Sequence, residues 1–384
     1  MFCTFGWVNA IGVFQDYYET HQLSAYSASS IGWIASLQAF IMFFGGVFIG
    51  KIFDFVGPHY ILFFGTILHV LGLMMTSISH TYGQILGCQG IISPIGSACV
   101  FYASLSSVAT HFRAKRGLAT GIASSGSSLG GTLFPIIVKR LSNETSFGWM
   151  VRACAFIILG LLIIANLTIT SNNQHTGWQP IKISDFTKHY QDKFFVVLLF
   201  GSVFTFFGIL IPFDYITTAA SHYGIDDSMA NYLVSILNAA SVISRISMGF
   251  IADKFGRFNV NTIGILCSGI GALAIWIPAR GLAPYIVFAI IYGFSSGSFI
   301  SVTPACVAEI SDIRDIGTRI GVLFATGSFA VLVSIPISGA IIGDGSDDKR
   351  WMGTAVLAGL CILIGGGFVG AVRVLKVGWG FKKY

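Results

Sequence analysis

The sequence predicts an all-α integral membrane protein, with twelve bilayer-crossing helices in two pseudo-symmetric sets of six. Three observations point there. The 384 residues are 54% hydrophobic and only 10% charged, with a mean hydropathy of +0.79, whereas soluble domains carry about 25% charged residues. The apolar residues gather in runs near the ~20 residues that a membrane-spanning helix needs. Finally, Gly50-Lys-Ile-Phe-Asp54-Phe-Val-Gly57 returns at a constant offset of 199 as Gly249-Phe-Ile-Ala-Asp253-Lys-Phe-Gly256. A repeat of half the chain length is expected of carriers assembled from two related halves.

Taken in order, the spans fall at about 2–18, 30–50, 60–78, 82–109, 118–138, 149–169, 194–220, 229–249, 260–278, 285–308, 320–342 and 353–374. The first is short. Its length rises about 25 Å against a hydrocarbon core of about 30 Å, and it starts at Met1 with no hydrophilic lead, so the natural N-terminus is expected upstream and the first helix is expected to be incomplete. The only long polar stretch, 171–192, reads as a cytosolic linker between an N-terminal half (1–170) and a C-terminal half (193–384). Fifteen Lys and Arg residues fall in the segments that would be internal if the N-terminus is inside, against six on the opposite side. That bias puts both termini in the cytosol, and the plasma membrane is the expected location.

Composition also excludes several classes. The basic residues lie between apolar spans and form no single patch, so the net charge of +6 does not point to nucleic acid. The expected partners are the lipid bilayer and a small-molecule substrate, with a co-transported proton and an accessory membrane subunit left open. All seven cysteines sit in apolar runs without a CxxC or Cys/His cluster, which reads as buried free thiols. No metal, cofactor or enzymatic motif is found. The sequon Asn143-Glu-Thr145 lies on the outer side in this topology.

One residue stands apart. Arg245 lies inside the eighth span, where an intramembrane charge costs at least ~2.5–3.5 kcal/mol and therefore faces a protein interior, a water-filled path or, by snorkelling, the interface. Its guanidinium fork suits a carboxylate, and Asn238, Ser241 and Ser244 make its surroundings polar. Gly46 holds the equivalent place in the first half, so the cation breaks the internal symmetry. Asn9, Gln15, Gln38 and Tyr102 are pore-lining candidates, each equally readable as an interhelical hydrogen bond. Asp214, after Pro212, is the acid set deepest in the apolar runs, a candidate proton carrier or Arg245 partner and equally a helix-break acid facing the outer side. Asp54 and Asp253 follow glycine-bearing span ends, where an acid can cap a neighbouring helix or pair with a loop Arg. With Gly50, Gly57, Gly249, Gly256, Arg257, Arg113, Arg116, Asp312 and Arg314, they form a candidate gating set at the internal loops.

These motifs resemble a known family. The repeated glycine–aspartate signature is similar to that of the major facilitator superfamily (the MFS fold), and His111-Phe-Arg-Ala-Lys-Arg116-Gly-Leu-Ala119-Thr-Gly121-Ile-Ala-Ser-Ser-Gly126 resembles the fifth-helix signature of monocarboxylate transporters. The segments beginning Phe5-Gly-Trp, Tyr26-Ser-Ala and Asp312-Ile-Arg resemble its fungal branch. The resemblance implies secondary transport of a small organic anion by alternating access, with Arg245 binding the anion. Asn9 stands where proton-coupled animal members carry a lysine, and Ser241 where they carry an aspartate, which puts proton coupling by that route in question. Phe55 and Pro58 replace the usual basic residues of the first signature, so the charge lock there is expected to be the weaker one. A vitamin carrier of riboflavin type, a secondary-metabolite exporter on the same fold, and a carrier-derived nutrient sensor are the other readings.

Overall fold

A computed structural model describes residues 1–172, 182, 184–343 and 346–378. The middle of the expected linker, part of the loop around 343–350 and the last six residues lie outside the described residues, as do the side chains of Gln15, Asp16 and the sequon residue Asn143, among others. Regular structure among the described residues is helical throughout. The helices are α1 (Phe5–Val8), α2 (Ile11–Thr20), α3 (Ala28–Phe44), α4 (Gly46–Val56), α5 (Pro58–Thr76), α6 (Tyr82–Ile85), α7 (Ser93–His111), α8 (Arg116–Glu144) and α9 (Phe147–Thr168). They continue as α10 (Ser184–Thr187), α11 (Lys193–Ile209), α12 (Ile211–His222), α13 (Asp227–Phe255), α14 (Arg257–Gly271), α15 (Leu282–Glu309), α16 (Ile316–Ile342) and α17 (Asp348–Val377).

Among the described residues, eleven helical segments are long and apolar enough to cross a membrane. They correspond to the second through twelfth expected spans. The first is corrected: α1 and α2 are separate short helices, broken where Ala10 donates to Trp7 and Val13 donates to Ala10, both three residues back. Tightening of this kind interrupts the regular four-residue ladder. Asn9 sits in the break and reaches the Ser127 carbonyl at 3.5 Å.

The span ends differ from expectation in a way that matters for the site. Asp54 and Asp253 belong to the last turns of α4 and α13 instead of to loops. A single residue then reverses the chain: Gly57 at φ 77° and Gly256 at φ 96°, a left-handed region that only glycine enters without strain. Pro58 opens α5, where a missing N–H costs nothing.

The chain forms two compact units. The first comprises Met1–His111, Gly126–Lys182 and Ser311–Ser328. Its core holds Trp7, Phe14, Tyr18, Phe53, Leu62, Phe134 and Met150, all buried. Gly65, Gly72 and Gly96 bring α5 against α7, since a Cβ at Gly72 would lie 2.6 Å from the Ser93 nitrogen. Such contacts replace the hydrophobic drive that lipid cannot supply between helices. His69 ties the same seam, with Nδ1 2.9 Å from Ser93 Oγ and 3.0 Å from Ser97 Oγ, and Nε2 2.9 Å from the Cys3 carbonyl.

The second unit comprises Phe112–Ser125, Ile183–Ile310 and Phe329–Tyr384. Here α11 meets α17 across Gly201, Gly208 and Gly365, and α13 meets α15 where Gly293 faces the Leu237 backbone. At the end of this unit where α12 stops, Asp348 joins His222 at 2.7 Å and Arg280 at 3.9 Å. All seven cysteines are free. Five are buried and Cys361 is half-buried, but Cys267 is exposed, correcting the expectation that every thiol would be internal.

Candidate functional site

Helical spacing puts Asn238, Ser241 and Arg245 on one face of α13, at positions i, i+3 and i+7. All three are buried, Arg245 at 3% exposure. Its guanidinium does not snorkel. Nη1 donates to the Ser124 carbonyl of α8 at 2.7 Å, and Nε donates to Ser241 Oγ at 3.2 Å. Gly297 of α15 closes the other flank, because a Cβ there would stand 2.9 Å from Ser244 Oγ and 3.0 Å from Ser241 Oγ. Ser244 Oγ donates to the Phe294 carbonyl. Asn238 Nδ2 bonds the Val234 carbonyl, whereas its Oδ1 is buried with no hydrogen-bond partner among the described residues. A buried acceptor left open costs about 1–3 kcal/mol, so an incoming donor is favoured there.

Below Arg245, the start of α8 runs along the end of α13. Gly121 faces the Arg245 carbonyl and Gly117 faces Gly249, with no room for a Cβ at any of the three glycines. Asp253 then accepts from the backbone N–H groups of Gly117 and Leu118, both at 2.8 Å. A carboxylate on a helix N-terminus contributes about 0.3–1 kcal/mol in exposed cases, and up to ~2 kcal/mol when partly buried. Arg257 completes the arrangement. It bonds Asp253 at 3.3 Å, donates to the Arg113 carbonyl at 2.9 Å and pairs with Glu309. Arg116, also buried, donates Nε to the Phe112 carbonyl at 2.9 Å.

The first unit contains a counterpart. Gly46 and Gly50 of α4 face Gly321 and Gly317 of α16 at backbone contact. Asp54 accepts from Gly317 N at 3.1 Å, Thr318 N at 2.8 Å and the Thr318 hydroxyl at 2.6 Å. No arginine stands at the position equivalent to Arg257, which is Pro58. The lysines are transposed: Lys51 lies over the Phe55 ring at 4.6 Å, and Lys254 lies over Phe250 at 4.3 Å. Where Arg245 would fall, the ring of Tyr102 covers Gly46, and its hydroxyl donates to the Phe43 carbonyl at 2.8 Å. Phe43 and Phe324 stack at 5.7 Å beside it.

Several expected residues take other places. Tyr102 is sealed in this aromatic cluster and lines no open surface. Gln38 is buried with Oε1 unpaired among the described residues. Asp214 is exposed on the first turn of α12, and its carboxylate carries no hydrogen bond or ion pair among the described residues, so the pairing with Arg245 is not formed. Arg113 contributes its carbonyl and leaves its side chain exposed. Asp312 caps the short turn Ile313–Asp315 by accepting from Arg314 N at 3.1 Å, and neither side chain joins the Asp54 cluster through that bond. Sequence reasoning reads Gly121 and Gly297 as close-packing glycines and rocking contacts, but does not single out Glu309, Thr318, the Ser124 carbonyl or the partner glycines Gly117, Gly317 and Gly321. A signal exists for the last, since Gly117 and Gly121 return as Gly317 and Gly321 at a constant offset of 200.

Comparison with known proteins agrees with this architecture. The family model for the Major Facilitator Superfamily matches residues 1–279 and 194–377. The chain is 46% identical over 368 residues to MFS-type transporter 1 of Ophiocordyceps sp., covering 95% of this chain and 82% of that protein. It is 38% identical over 377 residues to the Fujikurins efflux protein of Gibberella fujikuroi, covering 97% and 80%, and 37% identical over 379 residues to the Agnestins efflux protein of Paecilomyces divaricatus, covering 98% and 86%. In fold it is similar to the human organic anion transporter MFSD10, with a TM-score of 0.73 at 14% identity and 97% of each chain covered. It is also similar to the E. coli fucose:proton symporter, with a TM-score of 0.72 at 15% identity and 97% of each covered. The likeness to monocarboxylate transporters therefore holds at the level of the superfamily, and these fungal relatives are named as MFS-type or efflux transporters. By these matches the chain belongs to the Major Facilitator Superfamily.

Proposed function

We propose that this transporter exports a small fungal-type secondary metabolite by alternating access, and that the metabolite carries an anionic group received by Arg245. The single observation behind the anion is the buried guanidinium, with Ser241 beside it; the open Oδ1 of Asn238, two turns away on the same face, suits a donor group elsewhere on the metabolite. Burying a cation is costly, and a carboxylate or enolate ligand offsets that cost in the bound state. The efflux names of the relatives support export over uptake.

In this reading the two halves, 1–170 and 193–384, rock about a central site, and the plasma membrane holds the protein with both termini inside. The Asp54 and Asp253 caps then belong to a state closed to the cytosol. Gly50, Gly57, Gly249, Gly256, Arg116 and Arg257 serve that closure, while Gln38 and Asn9 are further polar groups offered to the substrate. Asp214 is the acid nominated if a proton is exchanged.

The test is flux through purified protein in vesicles, screened with aromatic and aliphatic carboxylates, riboflavin and neutral solutes. The proposal expects saturable flux of an anion and a loss of about tenfold or more in Arg245→Ala, the effect of removing one charged hydrogen-bonding anchor. Flux confined to neutral solutes and unaffected by Arg245→Ala would sink it.

A further inference from the structure

The two helix crossings are copies of each other through their glycines and aspartates; beyond the difference at the capped end, where Arg257 answers to Pro58, they differ at one rung within the helices. Each has a run of glycines at backbone contact and an aspartate holding two N–H groups of the partner helix. At the next turn, the α4–α16 crossing is closed by rings, with Phe43 stacked on Phe324 and Tyr102 over Gly46. The α8–α13 crossing is closed by a charge, the Arg245 Nη1 bond to the Ser124 carbonyl at 2.7 Å.

We propose that Arg245 is the releasable pin of the α8–α13 crossing, so that an anion binding to it withdraws the guanidinium from the Ser124 carbonyl and loosens this crossing before the α4–α16 crossing parts. This rests on the reading of Arg245 as the anion ligand. A carboxylate is a stronger acceptor for a guanidinium than a neutral carbonyl, because both charges take part and two N–H groups can engage at once. The carboxylate and the Ser124 carbonyl are therefore unequal competitors for the guanidinium. Nothing comparable can happen at the aromatic rung: Phe43, Phe324 and Tyr102 offer an anion no charge, and the Tyr102 hydroxyl already donates to a backbone carbonyl. The position that breaks the internal symmetry of the sequence thus gives the substrate a handle on one crossing alone. A ligand shifts a two-state element only by its difference in affinity for the two states, and the lost Arg245–Ser124 bond is where that difference arises.

The experiment uses the full chain in vesicles, carrying either Ser124→Cys or, on α16 one turn past Gly321, Ala325→Cys. Both positions are buried, at 1% and 2% exposure, and neither substitution touches the Ser124 carbonyl. Labelling by a membrane-impermeant maleimide is read at each position by peptide mass spectrometry, which separates it from the native thiols. Adding Arg245→Gln is expected to raise labelling at position 124 by about fivefold or more, within the usual range of coupling between sites, and to leave labelling at position 325 as it was. Arg245→Lys, which keeps one charged donor, should restore most of the protection.

Saturating benzoate should raise labelling at position 124 in the chain that retains Arg245 and have no effect in Arg245→Gln. In Arg245→Gln without benzoate, continued protection of position 124 would overturn the pin, and an equal rise at position 325 would show general loosening and overturn the one-sided claim. If Arg245→Gln exposes position 124 while neither benzoate nor any other carboxylate of the flux screen binds in a thermal-shift assay or changes labelling, the anion reading fails and the substrate-driven release fails with it. If benzoate binds and position 124 stays protected, the release alone is refuted.

Discussion

Asp253 and Asp54 do the same work with different surroundings, and the difference is testable residue by residue. Asp253 shares its load with Arg257, which also holds Glu309 and the Arg113 carbonyl. Groups bound in one network do not contribute additively. Arg257→Gln and Glu309→Gln, measured singly and together by thermal melting, are expected to be less destabilising in combination than the sum of the two, and strict additivity would show that the pair is not coupled. Asp54 accepts from the Gly317 and Thr318 N–H groups and from the Thr318 hydroxyl. Asp54→Asn keeps one acceptor oxygen and introduces an amide that competes for space with the same N–H groups. A loss of about 1–3 kcal/mol is expected, the usual effect of leaving buried donors unmet, and an unchanged melting temperature would contradict the capping role. The capping geometry is legible in the sequence, because a repeated acid one turn before a glycine has few other uses. The part played by Arg113 is not, since a backbone carbonyl carries no sequence signal.

At the scale of helices, the crossings depend on glycine where backbones touch. A Cβ at Gly249 or Gly50 would run into the carbonyl of the facing glycine, whereas Gly160 of α9 has nothing within 4 Å. Gly249→Val and Gly50→Val are each expected to reduce flux about tenfold or more by prising the crossing apart, with Gly160→Val close to the parent. Equal behaviour of all three in the vesicle assay would mean that close approach is not needed. Hydropathy locates eleven helices to within a few residues, but their faces are harder to read. A polar tip in an apolar run suits an open passage and a packed seam equally, and only the glycine opposite, Gly46, decides that the Tyr102 ring is packed away. The break at Asn9–Ala10 likewise leaves no composition signal, since the residues on both sides are apolar.

For the whole molecule, the helical membrane fold is legible in the apolar runs and the duplicated signature, and the superfamily in the motifs that resemble it. The substrate is not, because the residues that choose it are few and lie among serines and phenylalanines that also serve packing. The motif likeness to monocarboxylate carriers points to an anion, while the relatives point to efflux of metabolites. Both are compatible with the buried Arg245 guanidinium bonded to a serine hydroxyl, and the proposed recognition of an anion rests on that residue.

Exchange of a labelled organic acid across vesicles holding purified protein tests it most directly, because exchange needs the site and its change of access without any imposed gradient. The parent should show saturable exchange of an acid in the screened set, and Arg245→Gln should reduce it about tenfold or more while still folding. Exchange at the parental rate in Arg245→Gln would contradict anion recognition by this residue.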